Sequence, residues 1–219
     1  MAVILLASSS PRRRDLLLQI HWEPRIVKSS FQEVKTPEEA ERRKAAMNHP
    51  LLSSFSGPDL VCALNALGKA EGAACGDGEG LPLLAADTIV TAGGKILGKP
   101  KDRGDASRML HFLSGRSHEV KTGTALLYRG RALVTVTTTT VRFRKLTDQE
   151  IKDYIATGEP MDKAGAYGIQ GLGTLLVDSI DGSYDNVVGL PLTVVYGMMK
   201  ELAEYKGHGT VYNERRIEI

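Results

Sequence analysis

The sequence predicts an α/β fold in a single domain with a mixed sheet, on three observations. Helical and strand patterns alternate along its 219 residues, a central pair of strands reads as antiparallel, and no repeat of solenoid length is visible. A chain of this length can bury a sizeable core.

Taken in order, residues 3–7 are an aliphatic, β-branched run that ends in three serines. Pro11 and a helical pattern with Leu16, Leu17 and Ile20 on its apolar side follow, giving strand, turn and helix. Ser10 suits the N-cap and Pro11 the first helical position, where proline has no amide hydrogen to waste. The free amides of such a helix start favour an anion. Residues 36–74 are helical in composition but broken over 51–58 by Ser, Gly and Pro, which predicts two helices joined by a loop. The glycine-rich stretch 76–80 ends the second helix, and 83–90 read as a buried strand with Asp87 at or near its end. Asp102 caps a helix over 106–113, and Thr147 with Glu150 makes a capping box for a helix reaching Ile155. Between them, 119–128 and 132–144 are rich in Val, Thr and Leu and meet at Arg129-Gly130-Arg131, as a long hairpin does. The threonine run 137–140 is strand composition. Residues 165–188 mix glycine with short apolar runs, and Pro191 opens a closing helix with Val194, Val195, Met198, Met199 and Leu202 on its apolar face. From 207 to 219 the chain is a polar tail.

Composition narrows the chemistry. Lys plus Arg (28) nearly balances Asp plus Glu (26), against the broad positive field that binding along a nucleic-acid backbone requires. A small anionic ligand needs only a local cluster. Cys62 and Cys75 lack metal-type spacing and the five histidines are scattered, so neither a disulfide framework nor a zinc site is expected. The apolar opening is short and its arginines follow it, the wrong polarity for a secretory signal, and no run is long enough to span a bilayer. These features predict a cytoplasmic protein. A P-loop and a nucleophile elbow are both missing, and Gly168, Gly171 and Gly173 are in the wrong order for a dinucleotide fingerprint.

What remains is charge in places a chain normally avoids. Arg12 and Arg13 sit at a helix start, where positive charge opposes the dipole unless an anion is bound; taken alone, Arg12, Arg13 and Arg14 read as a solvated face. Asp87 lies inside Leu83-Leu84-Ala85-Ala86-Asp87-Thr88-Ile89-Val90, where an unpaired carboxylate is costly to desolvate. It must meet a metal, a cation or water. Lys99 follows in Gly98-Lys99-Pro100, a short stiff turn able to aim an ammonium group.

These blocks resemble the Maf proteins. Ala7-Ser8-Ser9-Ser10-Pro11-Arg12-Arg13, Ala86-Asp87-Thr88, Gly98-Lys99-Pro100, Leu113-Ser114-Gly115-Arg116-Ser117-His118, Tyr167-Gly168-Ile169-Gln170-Gly171 and Gly182-Ser183-Tyr184-Asp185-Asn186-Val187-Val188-Gly189-Leu190-Pro191 occur in the family's order over nearly the whole length. The resemblance implies an elongated α/β structure like that of inosine triphosphatases, with two lobes around a nucleotide cleft in one domain spanning 1–219. It implies hydrolysis of a nucleoside triphosphate to the monophosphate and pyrophosphate with a divalent cation, Mg2+ or Mn2+. Arg12, Thr88 and Gln170 match the subgroup acting on dTTP and UTP; modified pyrimidine nucleotides fall in the same class. Asp87 is then the proton acceptor and, with Glu33, a metal ligand. Ser8, Arg12, Arg13, Lys69 and Lys99 take the phosphates, while Thr88 and Gln170 complete the substrate site. Gln170 offers a donor and an acceptor to the N3 hydrogen and a carbonyl of uracil or thymine. Glu33 matches by position, although the usual acidic Val-Asp-Glu stretch is here Gln32-Glu33-Val34. His118, Tyr184 and Asn186 read as loop stabilisers. The resemblance further implies a homodimer, while the charge balance and the lack of a long apolar run predict neither a nucleic-acid nor a membrane partner. Its alternative is a regulator of cell division and septum formation acting through partner binding.

Overall fold

A computed structural model describes residues 2–73 and 80–204; the end of the second predicted helix, most of the glycine-rich stretch and the polar tail lie outside the described residues. Two compact units are formed. The first takes the described residues through Asp87, Thr122–Thr137 and those from Gly189 on, and the second takes Thr88–Lys121 and Thr138–Val188.

In the first unit, β1 (Ala2–Leu6) buries Ile4 and Leu6 and leads into α1 (Pro11–Gln19), which buries Leu16 and Leu17. Ser10 is the N-cap by its extended backbone, yet its hydroxyl makes no cap bond; Ser8 Oγ instead accepts the Ser10 amide at 3.2 Å. Strand β2 (Trp22–Ile26) returns parallel to β1. Next comes α2 (Pro37–Met47), capped by Thr36 and ended by Asn48 in the left-handed region. A 3-10 turn (Pro50–Leu52) fills the predicted break before α3 (Gly57–Ala73). Helix α3 is apolar nearly all round, burying Leu60 through Gly68 in one continuous run, as a central helix does.

Strand β3 (Leu83–Ala92) pairs parallel with β1, Leu5 opposite Leu83 and Leu6 opposite Leu84. It runs two residues further than the apolar pattern indicated. Asp87 is therefore mid-strand, not at a strand end: Thr88 through Thr91 keep β-branched side chains in extended backbone, and the chain turns only at Gly93 and Gly94, both at positive φ. That turn leads to β4 (Lys95–Leu97), antiparallel to β3 and not anticipated because three residues carry no readable period.

In the second unit, Asp102 caps α4 (Arg103–Leu113) through the Asp105 amide at 2.7 Å, and Thr147 with Glu150 closes a full capping box on α5 (Asp148–Ala156). Both caps match expectation. The hairpin also forms, with β5 (Ser117–Tyr128) and β6 (Arg131–Phe143) joined through Arg129 and Gly130, both at positive φ; its Thr122–Thr137 part, with the turn, belongs to the first unit. Three 3-10 turns (Glu159–Asp162, Ala164–Ala166 and Gly171–Leu176) precede β7 (Val177–Asp181), which pairs antiparallel with β6, and α6 (Tyr184–Val188). Here Leu110, Leu113, Val141, Phe143, Ile151 and Tyr167 share one buried cluster. The chain re-enters the first unit for α7 (Leu192–Glu204), which buries Val194, Val195, Met198 and Leu202, with Met199 half-buried.

Strand order is β2-β1-β3-β5-β6-β7, with β4 on β3, so the sheet is mixed as predicted. Among the described residues no helix is long and apolar enough to cross a membrane.

Candidate active site

Asp87 is 8% exposed in the middle of β3. Its carboxylate is held at both oxygens. Lys69 Nζ donates to Oδ1 at 2.6 Å, and Asn65 Nδ2 donates to Oδ2 at 2.9 Å. Lys69 and Asn65 stand one helical turn apart on α3, hence on one face of it. The same Lys69 ammonium lies 2.6 Å from Glu33 Oε1, so two carboxylates converge on one cation.

Glu33 belongs to no helix or strand; its segment is placed by α3. Gly68 and Gly72 leave room for it, since a Cβ on Gly68 would collide with the Phe31 ring and one on Gly72 would stand 2.8 Å from Ser29 Oγ. Ser30 N donates to the Gly72 carbonyl at 3.3 Å, and Asn65 Oδ1 accepts the Val34 amide at 2.9 Å. Asn65, Gly68, Lys69 and Gly72 thus form a stripe at helical spacing that receives the segment carrying Glu33.

The serine turn and the start of α1 bring Arg13. Its Nε donates to the Gly189 carbonyl at 2.7 Å and its Nη1 to Ser8 Oγ at 3.0 Å, which fixes the plane of the guanidinium. Burial pulls the Arg13 pKa below the usual arginine value and the Arg12 charge adds to that, while the Asp87 and Glu33 carboxylates oppose it. Ser8, Arg13, Glu33, Lys69 and Asp87 are therefore one electrostatic group, with Lys69 and Arg13 acting on the two carboxylates and the Arg12 charge felt at Arg13.

The other expected residues belong to the second unit. Thr88 follows Asp87 on β3 and is half-buried; Lys99 and Gln170 are exposed. Gly165 N donates to the Gly98 carbonyl at 3.1 Å, which ties the turn of Lys99 to the segment leading into Gln170. Within that unit His118 and Asn186 are structural: His118 Nε2 lies 2.7 Å from the Tyr167 hydroxyl, and Asn186 Nδ2 donates to the Val120 carbonyl and Thr139 Oγ1. Tyr184 is exposed.

Asn65 is the residue that reading the sequence missed. An asparagine inside Leu60-Val61-Cys62-Ala63-Leu64-Asn65-Ala66-Leu67 was a signal of the same kind as Asp87 in its strand, a polar group that burial obliges to find partners.

Among the described residues there is no group of three or more His, Cys, Asp or Glu able to hold a metal ion. The Glu33 and Asp87 carboxylates meet at the Lys69 ammonium, and their oxygens are of the hard type that a cation such as Mg2+ takes together with substrate phosphates and water.

The profile of the family described as Maf-like protein matches residues 3–202. A dTTP/UTP pyrophosphatase of Nitrosomonas europaea is 44% identical over 201 residues, covering 90% of this chain and 93% of that protein. One of Halalkalibacterium halodurans is 47% identical over 193 residues, covering 88% and 92%. Another, of Caldanaerobacter subterraneus, is 42% identical over 220 residues and covers 99% and 98%. The chain that builds this paired carboxylate and arginine group belongs to the Maf-like protein family.

Proposed function

We propose that this protein hydrolyses dTTP and UTP between the α and β phosphates, releasing the monophosphate and pyrophosphate. The observation that carries the reading is the buried Asp87 carboxylate, gripped by Lys69 and Asn65, with Glu33 on the same ammonium and Arg13 within electrostatic range. Similarity over most of its length to proteins named dTTP/UTP pyrophosphatase supports the substrate.

A triphosphate carries about three to four negative charges, and the reaction adds charge on the departing pyrophosphate; electrostatic stabilisation supplies most of such catalysis. In the first unit the planar fork of Arg13, oriented by Ser8 and Gly189, is proposed to bind phosphate oxygens together with Arg12. Lys69 spends two of its three N–H groups on Asp87 and Glu33, and the third serves a phosphate oxygen. Asp87 takes the proton of the attacking water. A divalent cation, Mg2+ or Mn2+, held by Glu33 and Asp87 would neutralise phosphate charge. Lys99, Thr88 and Gln170 are proposed substrate residues on the second unit, the exposed Gln170 offering an amide donor and acceptor to a pyrimidine edge.

The test is a panel of nucleoside triphosphates, assayed with Mg2+ and with a chelator, scoring monophosphate and pyrophosphate separately. dTTP and UTP should lead, with products in equal amounts and activity lost on chelation. A purine nucleotide ranked first, or orthophosphate as the product, would overturn the proposal.

A further inference from the structure

We infer that Asn65 is a positioning residue for Asp87, fixing the rotation of its carboxylate and fastening it to the segment that carries Glu33; this rests on Asp87 being the proton acceptor. Asn65 is 2% exposed, in a helix whose neighbours are apolar, so its amide must be fully partnered or destabilise the fold. Its Oδ1 accepts the Val34 amide at 2.9 Å, and its Nδ2 donates to the Val34 carbonyl and to Asp87 Oδ2, each at 2.9 Å.

The two Val34 bonds decide which end of the amide is oxygen. A flipped side chain would set Nδ2 against the Val34 N–H and Oδ1 against its carbonyl, two repulsive pairs in place of two bonds. The group turned toward Asp87 is therefore the NH2, a donor. With Asn65 on one oxygen and Lys69 on the other, the carboxylate of Asp87 is stopped at both ends, and the lone pairs left for a proton keep one direction. Asn65 also holds residue 34, next to Glu33, so one side chain sets the spacing of both carboxylates.

A group that acts in this way serves the chemical step more than substrate capture, which falls to the arginines. Asn65→Leu keeps branching and approximate volume but removes the amide. With dTTP and Mg2+ its kcat should drop by about 10- to 100-fold, as for other residues that orient ligating groups, while KM stays within about threefold. Circular dichroism and thermal melting report the folded fraction to which rates are normalised. Should the leucine variant not fold, Asn65→Ser, with a side chain too short to reach Asp87, is scored in the same way.

A double-mutant cycle with Asp87→Asn separates positioning from a general structural role. Once the carboxylate is gone, adding Asn65→Leu should cost clearly less than in the wild-type background, only the part exerted through the Glu33 segment remaining. An undiminished kcat per folded molecule, or an equal fold-loss in both backgrounds, overturns the role of Asn65. Full turnover by Asp87→Asn alone would instead sink the assignment of Asp87 on which the inference stands.

Discussion

His118 lies on β5 at 3% exposure, its Nε2 against the Tyr167 hydroxyl and its ring edge-on to Phe143 and Tyr167, while Nδ1 has no hydrogen-bond partner among the described residues. Burial pushes its pKa down to about 4. Below about pH 6.5 the unfolded chain takes up a proton at this residue that the folded chain refuses, so stability rises with pH across that window. The contribution should fall by on the order of 2 kcal/mol between pH 7.5 and pH 5 and level off below pH 4. Urea unfolding at the two pH values, compared with His118→Gln, measures it; an identical loss in both proteins would remove His118 as the cause. Asp87 is the other residue whose setting makes a sharp demand. Asp87→Asn keeps the shape, loses the charge, and should cost about 10²- to 10⁴-fold in kcat per folded molecule, the range of a lost general base, with the fold itself retained. Asp87 was legible as a sequence anomaly, whereas His118 read only as a loop stabiliser. The partners of Asp87 were legible only in part, because Lys69 is named by the family resemblance whereas Asn65 is revealed by a contact that skips 22 residues.

Among the elements, α3 organises the first unit, and glycines set how closely its neighbours approach. On one side Gly68 and Gly72 admit the segment carrying Glu33. On the other, Gly123 of β5 faces the helix backbone: a Cβ there would collide with the Cys62 carbonyl and stand 2.7 Å from the Ala63 nitrogen. Backbone cannot swing aside as a side-chain tip can. Gly123→Ala should therefore destabilise by about 2–3 kcal/mol or more, the upper part of the overpacking range, although alanine normally suits a strand better than glycine. Thermal or denaturant unfolding reads this directly, and a neutral result would mean that α3 shifts freely on the sheet. Elements with strong local chemistry were plain in the sequence: the Thr147–Glu150 box, the Asp102 cap and the Arg129-Gly130 turn all depend on residues within a few positions of one another. Strand β4 and the end of β3 were not, since pairing across the Gly93-Gly94 turn decides them.

For the whole molecule, the near balance of 28 basic and 26 acidic residues has a structural counterpart. The second unit has a pocket of about 630 Å3 lined by Arg116, Arg142, Arg144 and Lys145. Its charge is largely answered in place, with Arg144 2.8 Å from Glu150, Arg142 3.5 Å from Asp178 and His111 3.1 Å from Asp148. In the first unit Lys69 lies 2.6 Å from both the Asp87 and the Glu33 carboxylates, with the Arg13 charge in range of both. The sequence by itself determined the α/β class, the hairpin, the capped helices, the family and the chemical types around Asp87, because periodicity, caps and motifs are properties of residues near one another along the chain. Tertiary structure alone decided that Asp87 sits mid-strand, that one ammonium serves two carboxylates, and that a buried asparagine fixes their geometry. Those contacts join β3, α3 and an extended segment, and their distances exist only once the helix has packed and its glycines have let the neighbouring chain approach.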